Sequence, residues 1–166
     1  MWGVFALTLL WFTAALWPFF FGAPWVPMPL AKARRMLQLA NVRKGETVYD
    51  LGSGDGRVLF IAAREFRANG VGVEIDPLRA GLSRLTVYLL GLYSRARILR
   101  ANFYDVDLRE ADVVTLYLLP KAVARLAPKL LAELKPGARV VTLTYHLPDW
   151  APTAQDGDIR IYRIGS

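Results

Sequence analysis

Apolar positions along the chain follow two different periods. Short runs rich in β-branched residues predict strands at 47–51, 72–75, 97–101, 113–118, 139–144 and 159–164, since such runs, bounded by turn residues, suit a pleated sheet. Longer stretches with an apolar side chain every three or four positions predict helices at 30–40, 56–66, 77–92 and 121–134, the last closed by Lys135-Pro136-Gly137. Strands alternating with helices imply a parallel sheet covered on both faces. The last crossing breaks the rule, because residues 145–158 hold Pro148, Pro152 and Gly157 and no helical period. A parallel crossover needs about a dozen or more residues, usually helical. The expected fold is therefore α/β, a Rossmann-like sheet of six strands in the order 3-2-1-4-5-6, mostly parallel with an antiparallel last strand.

The pattern at the front of the chain is of another kind. From Met1 to Ala31 there is no charged side chain, and four of the five tryptophans lie there. Crossing a bilayer core takes about 20 apolar residues, and the run from Trp2 to Gly22 reaches that, with aromatics clustered at its ends and Pro18 near its close. A basic leader and an Ala-x-Ala site are both missing, which disfavours a cleaved signal peptide. The expected organisation is a single transmembrane helix at 1–22, a Pro-rich linker at 23–29 and one domain at 30–166. A helix buried in a core or a dimer is the alternative. Lys32, Arg34, Arg35, Arg43 and Lys44 follow the span, so the positive-inside rule places the C-terminal domain in the cytoplasm.

Composition adds two constraints. The net charge of +7 favours anionic partners, whether nucleic acid, acidic protein or a negative leaflet. With no cysteine, disulfides, thiolate metal sites and a cysteine nucleophile are excluded.

Candidate chemistry gathers at the carboxyl ends of the expected strands, where ligands of such sheets bind. In Asp50-Leu51-Gly52-Ser53-Gly54-Asp55-Gly56 a strand runs into a glycine turn that opens a helix. Glycines there permit positive φ and close approach of a ligand to the backbone, and the helix start offers free N–H groups to a carboxylate. The dinucleotide fingerprint needs its third glycine one residue later. Spacing at 52, 54 and 56, led by an acid able to hold an ammonium, favours the amino-acid end of S-adenosylmethionine over a pyrophosphate. Glu74, beside Ile75 at the next strand end, is suited to bind both ribose hydroxyls, and Asp76 reads as an N-cap before Pro77. Asn102 and Phe103 follow the third strand, where an amide can bond the adenine amino group and an aromatic ring can pack on the purine. No metal site is indicated.

The acceptor side is less defined. The Leu116-Tyr117-Leu118-Leu119-Pro120 strand end lacks the Asn/Asp-Pro-Pro-Tyr motif of enzymes that methylate adenine or glutamine nitrogen, which makes nucleic acid an unfavoured partner. Tyr117, the single histidine His146, Trp150 and Pro27 are the acceptor-pocket candidates, with Trp25 and Tyr145 as further aromatic walls. A core Tyr117 and an exposed His146 are the bland alternatives.

Taken together, Pro24-Trp25-Val26-Pro27, Asp50 to Arg57, Ser83-Arg84, Phe103-Tyr104, Asp107-Leu108 and Pro148-x-Trp150-x-Pro152 resemble the lysine methyltransferases of the ATP synthase c-subunit and the adenine nucleotide translocase, with their prokaryotic relatives. The resemblance implies methyl transfer from S-adenosyl-L-methionine to lysine in a protein substrate, in or at a membrane. A lipid, quinone or other small hydrophobic acceptor, or a non-catalytic binding adaptor, is the alternative.

Overall fold

The computed structural model describes residues 26–165. The span expected at 1–22 lies outside them, and among the described residues no helix is long and apolar enough to cross a membrane. The elements are α1 (Leu30–Leu39), β1 (Thr47–Leu51), α2 (Arg57–Glu65), β2 (Asn69–Glu74), α3 (Pro77–Leu89), β3 (Ala96–Arg100), β4 (Val113–Leu116), α4 (Pro120–Glu133), β5 (Arg139–Leu143), β6 (Ala154–Asp156) and β7 (Ile159–Arg163).

Seven strands form one sheet in the order β3-β2-β1-β4-β5-β7-β6. The first five are parallel to one another. β7 runs antiparallel to β5, with Val141 opposite Ile161, and no helix intervenes between them, as the prolines dictate. Six strands were expected, and the seventh corrects that count. β6 pairs antiparallel with β7 through a turn at Gly157, whose φ is 57°. Its Ala-Gln-Asp sequence has no apolar alternation because the edge strand is largely exposed.

The two faces of the sheet are covered unequally. α1, α2 and α3 lie on one face, where Met36, Leu37, Val58 and Ile61 bury against Val48, Val113 and Val141. Among the described residues α4 is the only helix on the other, and Val123, Leu126 and Leu130 pack on Tyr49, Leu51, Leu116 and Val140. The rest of that face is closed by Phe103, Tyr104 and Leu108 after β3 and by Leu147 and Trp150 after β5. Trp150 stands edge-on to Tyr162 with ring centroids 5.9 Å apart. Polar clips hold α1 in place: Lys32 meets Asp158, Arg34 meets Glu65, and the Arg139 guanidinium donates to the Ala40 carbonyl at 3.0 Å.

β2 begins three residues before its expected start, at Asn69. Gly70 precedes the expected strand and Gly72 opens it, and both are strand positions pressed by α2. A Cβ on Gly72 would stand 2.5 Å from Leu59 Cδ1 and 2.7 Å from Ser53 Oγ. At Gly81, on α3, an added Cβ meets nothing within 4 Å. Gly72→Ala should therefore destabilise the fold by about 1–3 kcal/mol through overpacking, whereas Gly81→Ala should stabilise it by about 0.5–1 kcal/mol by helix propensity. Urea unfolding of the two variants checks the opposite signs.

Candidate active site

The strand ends open on a cleft of about 470 Å³, within the range of about 300–1,000 Å³ usual for small-molecule sites. Its floor is the turn after β1. Gly52, Gly54 and Gly56 have φ of 80°, 55° and 83°, values that favour glycine. A Cβ on Gly52 would lie 2.9 Å from Leu118 Cδ2, so a side chain there would crowd the cleft wall. Ser53 lines the cleft, and its buried hydroxyl has no hydrogen-bond partner.

Two buried carboxylates flank this turn. The Asp50 carboxyl Oδ1 accepts from the Thr115 hydroxyl at 2.7 Å. Burial pushes its pKa up to about 7, against the Thr115 hydrogen bond, while Asp55 and Glu74 add to the rise. Glu74 accepts from the Gly54 amide at 2.8 Å and from the Asp76 amide at 2.9 Å, one bond on each oxygen. Arg79 stands 3.6 Å away. Asp76 caps α3 as the sequence suggests, accepting from the Arg79 amide at 2.8 Å.

Of the candidate cofactor-binding residues, the cleft is lined by Asp50, Gly52, Ser53, Gly54, Glu74, Ile75 and Phe103. Gly56 lies behind it, where a Cβ would strike Phe60 and Ser83. Asn102 is exposed, and its side chain accepts from the Tyr104 amide at 3.1 Å, which turns the chain after β3. Of the acceptor-pocket candidates, Pro27 and Tyr117 line the cleft. Trp150 is taken up by the core, where apolar contact with Tyr162 outweighs exposure over the strand ends. His146 Nδ1 lies 3.1 Å from the Thr142 hydroxyl, outside the cleft. Burial and the Arg160 charge hold His146 below its ordinary pKa, so it is neutral at pH 7.

Three contributors lacked an explicit signal. Arg57 bridges Asp55, at 2.9 Å, and the Met28 carbonyl, which ties the proline-rich segment to the glycine turn. Its partner is a backbone carbonyl 29 residues away, so no motif announces it. Thr115 on β4 supports Asp50 through strand pairing. Thr144 enters the cleft, next to the expected Tyr145, because β5 ends in a three-residue turn. The Tyr145 amide donates to the Leu143 carbonyl at 2.8 Å, and Thr144 has φ of 67°. That region is strained for a β-branched residue, and such strain concentrates at functional sites.

A parallel α/β sheet with antiparallel β7, a glycine turn after β1 and an acid ending β2 together define a Rossmann-like, class I S-adenosylmethionine-dependent methyltransferase. Residues 50–154 match the ANTKMT methyltransferase domain model, and the chain belongs to that family. A protein-lysine N-methyltransferase of Saccharolobus islandicus is 41% identical over 86% of this chain and 94% of its own length. The adenine nucleotide translocase lysine N-methyltransferase of Mus musculus is 36% identical over 81% of this chain, which spans 58% of that protein. Among solved structures, an RNA methyltransferase from Salinibacter ruber in complex with S-adenosyl-L-homocysteine is 39% identical, with a TM-score of 0.78 over 84% of this chain and 92% of that one. The chain is an enzyme of this class with S-adenosyl-L-methionine as methyl donor. The left-handed glycines, the partnerless Ser53 hydroxyl and the two buried carboxylates fit such a donor.

The raised Asp50 pKa has a measurable consequence. The folded value lies above the unfolded one of 3.8, so Asp50 contributes stability that is complete below pH 3.8 and lost as pH rises through about 7. Asp50→Asn keeps an acceptor for Thr115 and carries no charge. Urea unfolding should show the variant gaining on the native chain between about pH 4 and pH 7, by roughly 1.4 kcal/mol per pKa unit, and levelling off above. A difference that stays flat across this interval contradicts the burial account.

Proposed function

We propose that this chain is a membrane-anchored protein-lysine N-methyltransferase that acts on a membrane-associated protein. The observation that carries this reading is the family match together with the walls of the cleft. Across from the glycine turn, the cleft is lined by Pro27, Met28, Tyr117, Leu118, Thr144 and Tyr145, an aromatic and apolar set without a free cation. The strand end at Leu116-Tyr117-Leu118-Leu119-Pro120 carries no Asn/Asp-Pro-Pro-Tyr motif.

Within this reading, Asp50 in its ionised form and the amides of the glycine turn hold the ammonium and carboxylate ends of the donor. Glu74, held by its two backbone bonds, accepts the ribose hydroxyls on the remaining lone pairs of its oxygens. Ile75 and Phe103 give the purine apolar contact. When bound, S-adenosyl-L-methionine supplies a methyl group on a positively charged sulfur. The chain's remaining task is to align a neutral amine with that methyl at about 3–3.5 Å. A free lysine amine has a pKa of about 10.4, and apolar walls lower it by disfavouring the ammonium. Tyr117, Tyr145 and Met28 make such walls, and the amine's proton leaves to water at the mouth.

Membrane attachment rests on the uncharged run from Trp2 to Gly22 and on the cations after it, which orient the domain towards the cytoplasm. Removing residues 1–22 should release a folded domain from the membrane fraction with its donor binding intact. Aggregation or loss of cooperative unfolding would make the segment part of a core instead.

The acceptor is tested by adding the purified chain and radiolabelled methyl donor to lysates of cells lacking this gene, with the lysate alone as the blank. Label recovered as methyllysine in a membrane-protein band supports the reading. Label in RNA or in organic extract overturns the lysine acceptor, and donor binding without transfer overturns catalysis. Glu74→Ala should weaken donor binding by about 1–3 kcal/mol, the effect of leaving polar groups unpaired. Calorimetry with S-adenosyl-L-homocysteine checks that figure, and unchanged affinity would remove Glu74 from the site.

A further inference from the structure

α3 buries Ala80, Ser83 and Val87 against the sheet. Its outer face is not polar. Leu78, Leu82, Leu85 and Leu89, spaced four, three and four residues apart, form one stripe and are each between 52% and 72% exposed. Tyr88 and Tyr93 extend it with 70% and 72% exposure. An exposed apolar stripe of this size marks an interaction surface.

The charges around the stripe identify its occupant. From Pro77 to Ala101 the chain carries five arginines and neither Asp nor Glu. Arg79 is taken up by Glu74 and Asp76. Arg84, Arg97 and Arg100 are exposed on α3 and the edge strand β3 and make no ion pair with a described residue. A second copy docked through this face would set arginine against arginine with no acid to compensate. The uncharged segment 1–22 would cover the leucines and leave the cations unanswered. A leucine and tyrosine stripe flanked by Arg84 and, from the same side of β3, by Arg100, with no acid nearby, is the combination that seats in a bilayer interface bearing anionic headgroups.

We propose that the outer face of α3, with Arg84 and Arg100 beside it, lies on an anionic lipid surface as a second membrane contact of the domain. α3 starts beside the cleft, which Ile75 and Arg79 line, so this contact holds the cleft mouth at the edge of the bilayer surface. It limits acceptors to amines presented close to the headgroups. The contact stands on α3 and its charges and does not depend on which acceptor is methylated.

The chain has no cysteine, so single labels can be placed cleanly. The full chain with Leu85→Cys, carrying a polarity-sensitive fluorophore, is reconstituted into phosphatidylcholine vesicles with or without phosphatidylglycerol, both containing a lipid quencher. Leu131→Cys, exposed on α4 across the sheet, is the control. The Leu85 label should be quenched several-fold more than the Leu131 label, and only with phosphatidylglycerol. Arg84→Glu with Arg100→Glu should reduce the quenching to the control level while S-adenosyl-L-homocysteine binding is retained. Equal quenching at both positions on membrane-bound protein overturns the proposal. So does shielding of Leu85 without vesicles, whether it grows with protein concentration or appears on adding RNA.

Discussion

Glu74 accepts one backbone amide on each carboxylate oxygen, Gly54 from the turn after β1 and Asp76 from the start of α3. A buried carboxylate without such partners would be strongly disfavoured, so these two bonds fix where the turn and the helix sit. Gly54 in turn accepts the Ser83 hydroxyl on its carbonyl at 3.0 Å, which closes the link between α3 and the glycine turn. Asp50 sits at the neighbouring strand end in the same buried layer, held by Thr115 from β4. Three adjacent strands thus meet at one polar point beneath the cleft, and the register of the sheet delivers it.

That arrangement asks for close packing behind it, and the glycines provide it. α2 approaches β2 so tightly that only Gly70 and Gly72 fit beneath Leu59. On the cleft side, the Arg57 guanidinium joins Asp55 to the Met28 carbonyl, so the proline-rich segment becomes a wall of the site. At the end of β5 the strained Thr144 turns Tyr145 into the cleft. The walls of the cleft are therefore built from distant pieces of chain.

Much of this was legible because local pattern and global fold agree. The apolar runs locate β1, β4, β5 and β7, and Asp76-Pro77 marks the start of α3. The prolines of 145–158 excluded a crossover helix and forced β7 antiparallel. What escaped has physical causes. β6 is an exposed edge strand stabilised by pairing with β7, so nothing in Ala154-Gln155-Asp156 needed to be apolar. Trp150 looked like a cleft residue, but with no helix after β5 the sheet face needed cover and took it. Asn102 accepts from the Tyr104 amide on its side-chain oxygen, so it also shapes its own turn. Arg57, Thr115 and Thr144 act through tertiary pairing that a linear pattern cannot display.

The central claim is that Asp50, protonated when buried alone, ionises to receive the donor's ammonium. It is tested most directly by titrating S-adenosyl-L-homocysteine into the chain near pH 6 in two buffers of different ionisation enthalpy. The group titrates at about 7 in the free protein, so binding should release close to one proton per site, and Asp50→Asn should abolish that release and weaken binding. Buffer-independent heats in the native chain, with the variant binding equally well, would contradict the account.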